Sequence, residues 1–115
     1  MRSATARANV KKVADAGIPV ALGTDTGFTG VMLGVSTQVE LTLLVEAGLM
    51  PAAALRAATI DAARMIGREK EIGSVEKDHL ADLVILNANP LEDIRNVRHI
   101  YRVVNGGVVY DPAVR

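Results

Sequence analysis

Cysteine is absent from this 115-residue chain, which excludes disulfides, thiolate metal sites and cysteine nucleophiles. Tryptophan is absent as well, and Phe28, Tyr101 and Tyr110 are the only aromatic residues. A core must therefore be built from alanine, valine, leucine and isoleucine. An excess of one charge is also lacking. Thirteen basic residues balance thirteen acidic ones, so no basic surface favours nucleic acid or an anionic membrane as a partner. No apolar run approaches the roughly 20 residues of a membrane span. The N-terminal Met1-Arg2-Ser3-Ala4 leads into a mixed polar stretch rather than a signal-peptide apolar region. What is left, 50% apolar and 23% charged, is ordinary globular composition. The default reading is a cytoplasmic protein of one domain's length, too short for a whole (β/α)8 barrel of about 250 residues.

Apolar spacing through Ala6, Val10, Val13 and Ala14 predicts a helix over residues 3–16. Gly17 supplies its left-handed stop, with Ile18 packing back on Val13 in a Schellman motif. Pro19 cannot extend that helix, and Val20–Leu22 reads as a short buried strand. Residues 26–35 carry Gly27, Gly30 and Gly34 and read as a mobile loop. Thr37 and Glu40 form a capping box for a helix to Ala47, which Gly48 ends with Leu49 folding onto Leu44. Pro51 opens a further helix at its first position, and Thr59 or Asp61 re-caps a short one closed by Gly67. Leu83–Leu86, Ile100–Val104 and Val108–Tyr110 are strands, the last two joined by the hairpin signal Asn105-Gly106-Gly107.

Gly23-Thr24-Asp25-Thr26-Gly27 directly follows the apolar run Ile18–Leu22. It places one carboxylate among small residues at the end of a strand, and in an α/β barrel that is where catalytic groups collect. Asp25 has two readings from local sequence. It is a turn residue whose side chain caps neighbouring amides, or it is a catalytic group. Arg56 and Arg64 read as solvated or paired helix charges. Asp82 reads as a structural hydrogen-bonder, and His79 and His99 as surface or hairpin residues.

The ordered segments Gly17 to Asp25, Glu40 to Leu49, Ala53 to Thr59, Gly73 to Glu76, Leu80 to Leu86, Asn89 to Ile94 and the closing Val-Val-Asn-Gly-Gly hairpin carry a resemblance. Together they resemble the C-terminal portion of the metal-dependent amidohydrolase superfamily, in its imidazolonepropionase-like and Xaa-Pro-dipeptidase-like branch. The resemblance implies an α/β fold that is an incomplete domain. Residues 1–77 would be the end of a (β/α)8 barrel with Val20–Leu22 as its eighth strand, and residues 78–115 the C-terminal strands of a small β-sandwich. It implies hydrolysis of C–N bonds in an amide, cyclic amide or dipeptide-like small molecule by metal-activated water. Asp25 would be both metal ligand and proton shuttle, and the divalent metal, one or two ions in a complete enzyme, would be zinc by preference.

The family's His-x-His, bridging ligand and later histidines have no counterpart in this sequence. The chain is thus expected to be the last quarter or third of an enzyme, inactive alone and needing the missing N-terminal barrel portion, with self-association left open. The competing expectation is a non-catalytic remnant or subunit that only completes a partner's barrel. Relatives often have His-Arg at Gln38-Val39 and Pro-Gly at Lys77-Asp78.

Overall fold

A computed structural model describes residues 2–112, with side chains from residue 4 onward. Residues 113–115, the end of the expected β unit, lie outside the described residues. The chain folds as α1 (Arg2–Asp15), α2 (Val35–Glu46), α3 (Pro51–Ala58), α4 (Ile60–Met65), β1 (Leu83–Leu86), a 3-10 helix (Ile94–Arg98), β2 (Ile100–Asn105) and β3 (Val108–Tyr110). No helix among the described residues is long and apolar enough to cross a membrane.

Three helices stop in the same way. After α1, the Gly17 N–H donates to the Ala14 carbonyl at 3.0 Å and the Ile18 N–H to that of Val13 at 3.3 Å. After α2, Gly48 and Leu49 donate to Val45 and Leu44 at 2.9 and 3.1 Å; after α4, Gly67 and Arg68 donate to Arg64 and Ala63 at 3.0 and 2.9 Å. Each pair of bonds is a Schellman motif, which satisfies carbonyls that a helix end leaves open. The second one carries Leu49 into the core beside Leu44.

Helix α3 starts at Pro51 as expected, whereas the caps of α2 and α4 differ from expectation. The capping box at Thr37 and Glu40 does not form. Turns through Gly34 (φ 74°) start α2 earlier, at Val35, and no side chain caps it. Ser36 binds the incoming loop instead, its Oγ accepting from the Met32 N–H at 2.8 Å. Thr59 holds the N-cap position of α4, but its hydroxyl donates backward to the Leu55 carbonyl at 2.8 Å. Asp61 binds Arg64 at 2.8 Å and Arg56 at 3.4 Å, so both arginines are paired.

Val20–Leu22 follows an extended path but has no ladder. The sheet among the described residues contains only β1, β2 and β3. The Leu22 N–H instead donates to the Ala57 carbonyl of α3 at 2.8 Å. Strand hydrogen bonds require a neighbouring strand, and among the described residues none lies beside this segment.

The β unit is an antiparallel sheet in the order β1-β2-β3, with Leu83 opposite Val104 and Val104 opposite Val109. Gly106 and Gly107 close the hairpin at φ 55° and 83°, both positive as a type I′ turn requires. The Asp82 carboxylate accepts the Gly106 N–H at 2.7 Å and fixes that turn to the start of β1. Asp78 takes φ 69°.

The 3-10 helix was not expected from sequence. Its Ile94 and Val97 enter the core with Leu41, Leu44, Leu49, Ala54 and Ala57, so one core spans residues on both sides of position 77. Asp93 caps it, accepting the Arg95 N–H and the Arg95 guanidinium Nε, each at 2.9 Å. The guanidinium bond first, then the backbone bond, hold the Asp93 carboxyl down at about 2. A carboxyl whose pKa falls on folding stabilises fully above its unfolded value, about 3.9, and ceases to do so as pH falls through the folded value. Acid titration followed by circular dichroism should therefore show the parent chain losing its advantage over Asp93→Asn between about pH 4 and pH 2. Parallel acid limbs for the two proteins would contradict this cap.

Candidate active site

The Schellman turn at Gly17 aims Ile18–Leu22 back across the helices, where Val20 and Leu22 pack against the core. The segment then emerges at Gly23, so Asp25 is exposed at its end. Asp25 adopts φ 51°, a left-handed conformation uncommon for any residue other than glycine. Its carboxylate makes no hydrogen bond or ion pair with any described residue. The amide-capping role that local sequence allowed for Asp25 is therefore not what this side chain does.

Its neighbours carry the turn. The Thr24 and Thr26 hydroxyls lie 2.6 Å apart, on either side of Asp25. The Asp25 carbonyl accepts a long bond from the Phe28 N–H at 3.4 Å, and Phe28 in turn accepts from Val31 at 3.1 Å. Between this loop, α1 and α2 lies an open groove of about 590 Å³, with Val10, Val31, Val35, Val39 and Leu43 on its walls and Thr24 at its edge. Glu40 also lines it, in place of the capping role expected for that residue. Asp25 is not part of its lining. Leu43 faces this open space at 43% exposure.

His79 is half-buried in the β unit with Nδ1 3.2 Å from the Ser74 hydroxyl, and His99 is exposed. A catalytic zinc takes three protein ligands. Among the described residues no group of three or more histidine, cysteine, aspartate or glutamate side chains comes together. The donors among the described residues do not by themselves make a metal site.

Residues 1–109 match the sequence profile of the amidohydrolase family. The chain belongs to that family. It is 40% identical over 113 residues to the imidazolonepropionase of Geobacillus kaustophilus (strain HTA426), an alignment covering 91% of this chain and 26% of that protein. Among solved structures, a Xaa-Pro dipeptidase with bound methionine in the active site superposes with a TM-score of 0.82 at 30% identity, over 91% of this chain and 25% of the other. Phenylurea hydrolase B gives a TM-score of 0.82 at 32% identity, over 91% and 26%. The chain corresponds to the C-terminal portion of these amidohydrolases and spans about a quarter of their length.

The left-handed Asp25 and the threonine pair were not read from the sequence. The signal was there in part, since aspartate is one of the few residues that tolerate such a turn. Which hydroxyls would meet across it depends on the fold of the loop.

Proposed function

We propose that this amidohydrolase chain contributes Asp25 to the hydrolysis of a C–N bond in an amide, cyclic amide or dipeptide-like small molecule. The observation that carries the reading is a free carboxylate, exposed at the end of an extended apolar segment, in a chain matching the family over residues 1–109. A carboxylate within hydrogen-bond reach of water and substrate takes a proton from the attacking water and returns it to the departing nitrogen. Water adds to the carbonyl carbon, the C–N bond breaks, and an acid and an amine leave. We also assign Asp25 as one ligand of a divalent ion, zinc by preference, whose remaining ligands come from outside these residues.

A second reading has its own support. The chain exposes 8277 Å², whereas a compact monomer of its mass exposes roughly 6,000 Å². The difference is on the scale that one partner hides in a large, permanent interface. Such a surface suits a subunit that completes a partner's barrel, whether or not Asp25 acts in catalysis.

Co-expression separates the two. The chain is produced alone and together with the N-terminal three-quarters of an imidazolonepropionase-like relative, then assayed with cyclic amide, Xaa-Pro dipeptide and phenylurea substrates. Turnover by the assembled pair, above either part alone, is the result expected of the catalytic reading. An assembled pair that turns over none of these substrates leaves the subunit reading and removes the first.

A further inference from the structure

The geometry points to a positioning role for the Thr24–Thr26 hydroxyl pair, which holds Asp25 left-handed so that its carboxylate stays free for substrate. The inference rests on the reading of Asp25 as the proton-handling group.

Aspartate usually enters the left-handed region by hydrogen-bonding its own short side chain to nearby backbone. Asp25 does not, because its carboxylate meets no described residue. Something else must keep φ at 51°. The second left-handed residue of this kind among the described residues, Asp78, shows one solution. Its turn is bracketed by a backbone bond, from the His79 N–H to the Glu76 carbonyl at 3.3 Å. No such bond brackets Asp25. The long Phe28-to-Asp25 bond starts at Asp25 and runs forward, so it does not close the chain around that residue. The bond that does close around it joins the two hydroxyls at 2.6 Å.

The two ends of this clasp differ usefully. Thr24 is half-buried and lines the groove, whereas Thr26 is exposed. Both are β-branched, so few χ1 rotamers compete with the bonded one. A carboxylate used to hold its own turn would have an oxygen already committed. Here the hydroxyls take that work, and neither carboxylate oxygen is committed to the turn.

Thr26→Val keeps the shape and branching but removes the hydroxyl; Thr26→Ser keeps the hydroxyl; Thr29→Val, at an exposed position in the same loop, is the control. Carbon chemical shifts of Asp25 in the 115-residue chain report its backbone conformation. Rates are measured in the assembled hydrolase. Thr26→Val should move the Asp25 Cα and carbonyl shifts away from left-handed values. It should also lower kcat about tenfold with KM little changed, as a displaced catalytic group does. Thr26→Ser should restore both, and Thr29→Val should change neither.

Unmoved Asp25 shifts in Thr26→Val overturn the clasp. So does an unchanged kcat in an enzyme that Asp25→Asn inactivates. Failure of the Asp25 reading itself shows differently, as full activity in Asp25→Asn.

Discussion

Asp25→Asn should lower kcat by about 10²–10⁴ in the assembled enzyme, the range over which a positioned acid–base group acts. Asparagine is the right replacement because it tolerates the left-handed backbone of Asp25, at φ 51°, at least as well as aspartate. Alanine would confound lost chemistry with backbone strain. Because the carboxylate works on the moving proton, the loss should fall on kcat and kcat/KM together, with KM nearly constant. Metal content, measured on the same preparations, then divides the two roles assigned to Asp25. A variant that keeps its metal but loses turnover has lost the proton carrier. A variant that loses both has lost a ligand. Activity within a few-fold of the parent enzyme would remove Asp25 from the mechanism.

The parts of the fold legible in the sequence are those decided by bonds between close neighbours. Gly17, Gly48 and Gly67 each close a helix because the reversal involves residues within one turn of the stop. Gly106-Gly107 closes its hairpin for the same reason, and Asp82 could be recognised as a hydrogen-bonder although its partner, the Gly106 N–H, is distant in sequence. Where two local solutions compete, sequence spacing did not choose correctly. Thr37 and Glu40 have capping-box spacing, yet Gly34 and Ser36 begin α2 earlier and leave that box inside the helix.

The 3-10 helix was hidden for a different reason. Ile94 and Val97 show three-residue spacing, but only their burial against Leu41 and Leu44 makes the short turn worthwhile. At the site, the sequence singled out Asp25, and the structure places it exposed at the end of the extended segment. The conformation of Asp25 was out of reach, because it depends on two hydroxyls meeting across a residue rather than on any pattern along the chain. Val20–Leu22 lies between these cases: its extended path is local, whereas its pairing needs a strand that these residues do not supply.

Gly73→Ala should cost about 3 kcal/mol, combining overpacking of about 1–3 kcal/mol with a left-handed backbone penalty of about 1–2 kcal/mol. The segment from Arg68 to Gly73 folds back over the start of α4, and Gly73 sits at φ 93° where it touches the helix. A Cβ there would lie 2.7 Å from the Ala63 Cβ, 2.9 Å from the Ile60 Cα and 3.1 Å from the Thr59 carbonyl oxygen. Two of those three atoms are backbone and cannot rotate away. Gly48 provides the comparison. Its φ is 102° and a Cβ would meet Lys11 side-chain carbons at 2.9 Å, but these are the far end of a flexible chain. Gly48→Ala therefore carries the backbone penalty with little overlap. Urea unfolding of both variants should place Gly73→Ala about 2 kcal/mol below Gly48→Ala. The double variant Ala63→Gly/Gly73→Ala should show favourable coupling, because one of the three contacts is gone, while the Ile60 contact keeps recovery partial. Eight hydrophobic residues are buried among those described, and none has a large side chain wholly hidden. A chain with so thin a core has little stability in reserve, so a loss of about 3 kcal/mol is a large share of the total. Equal costs at Gly48 and Gly73 would mean that α4 can shift to admit a methyl group, and that the close approach at Gly73 is not a constraint on the fold.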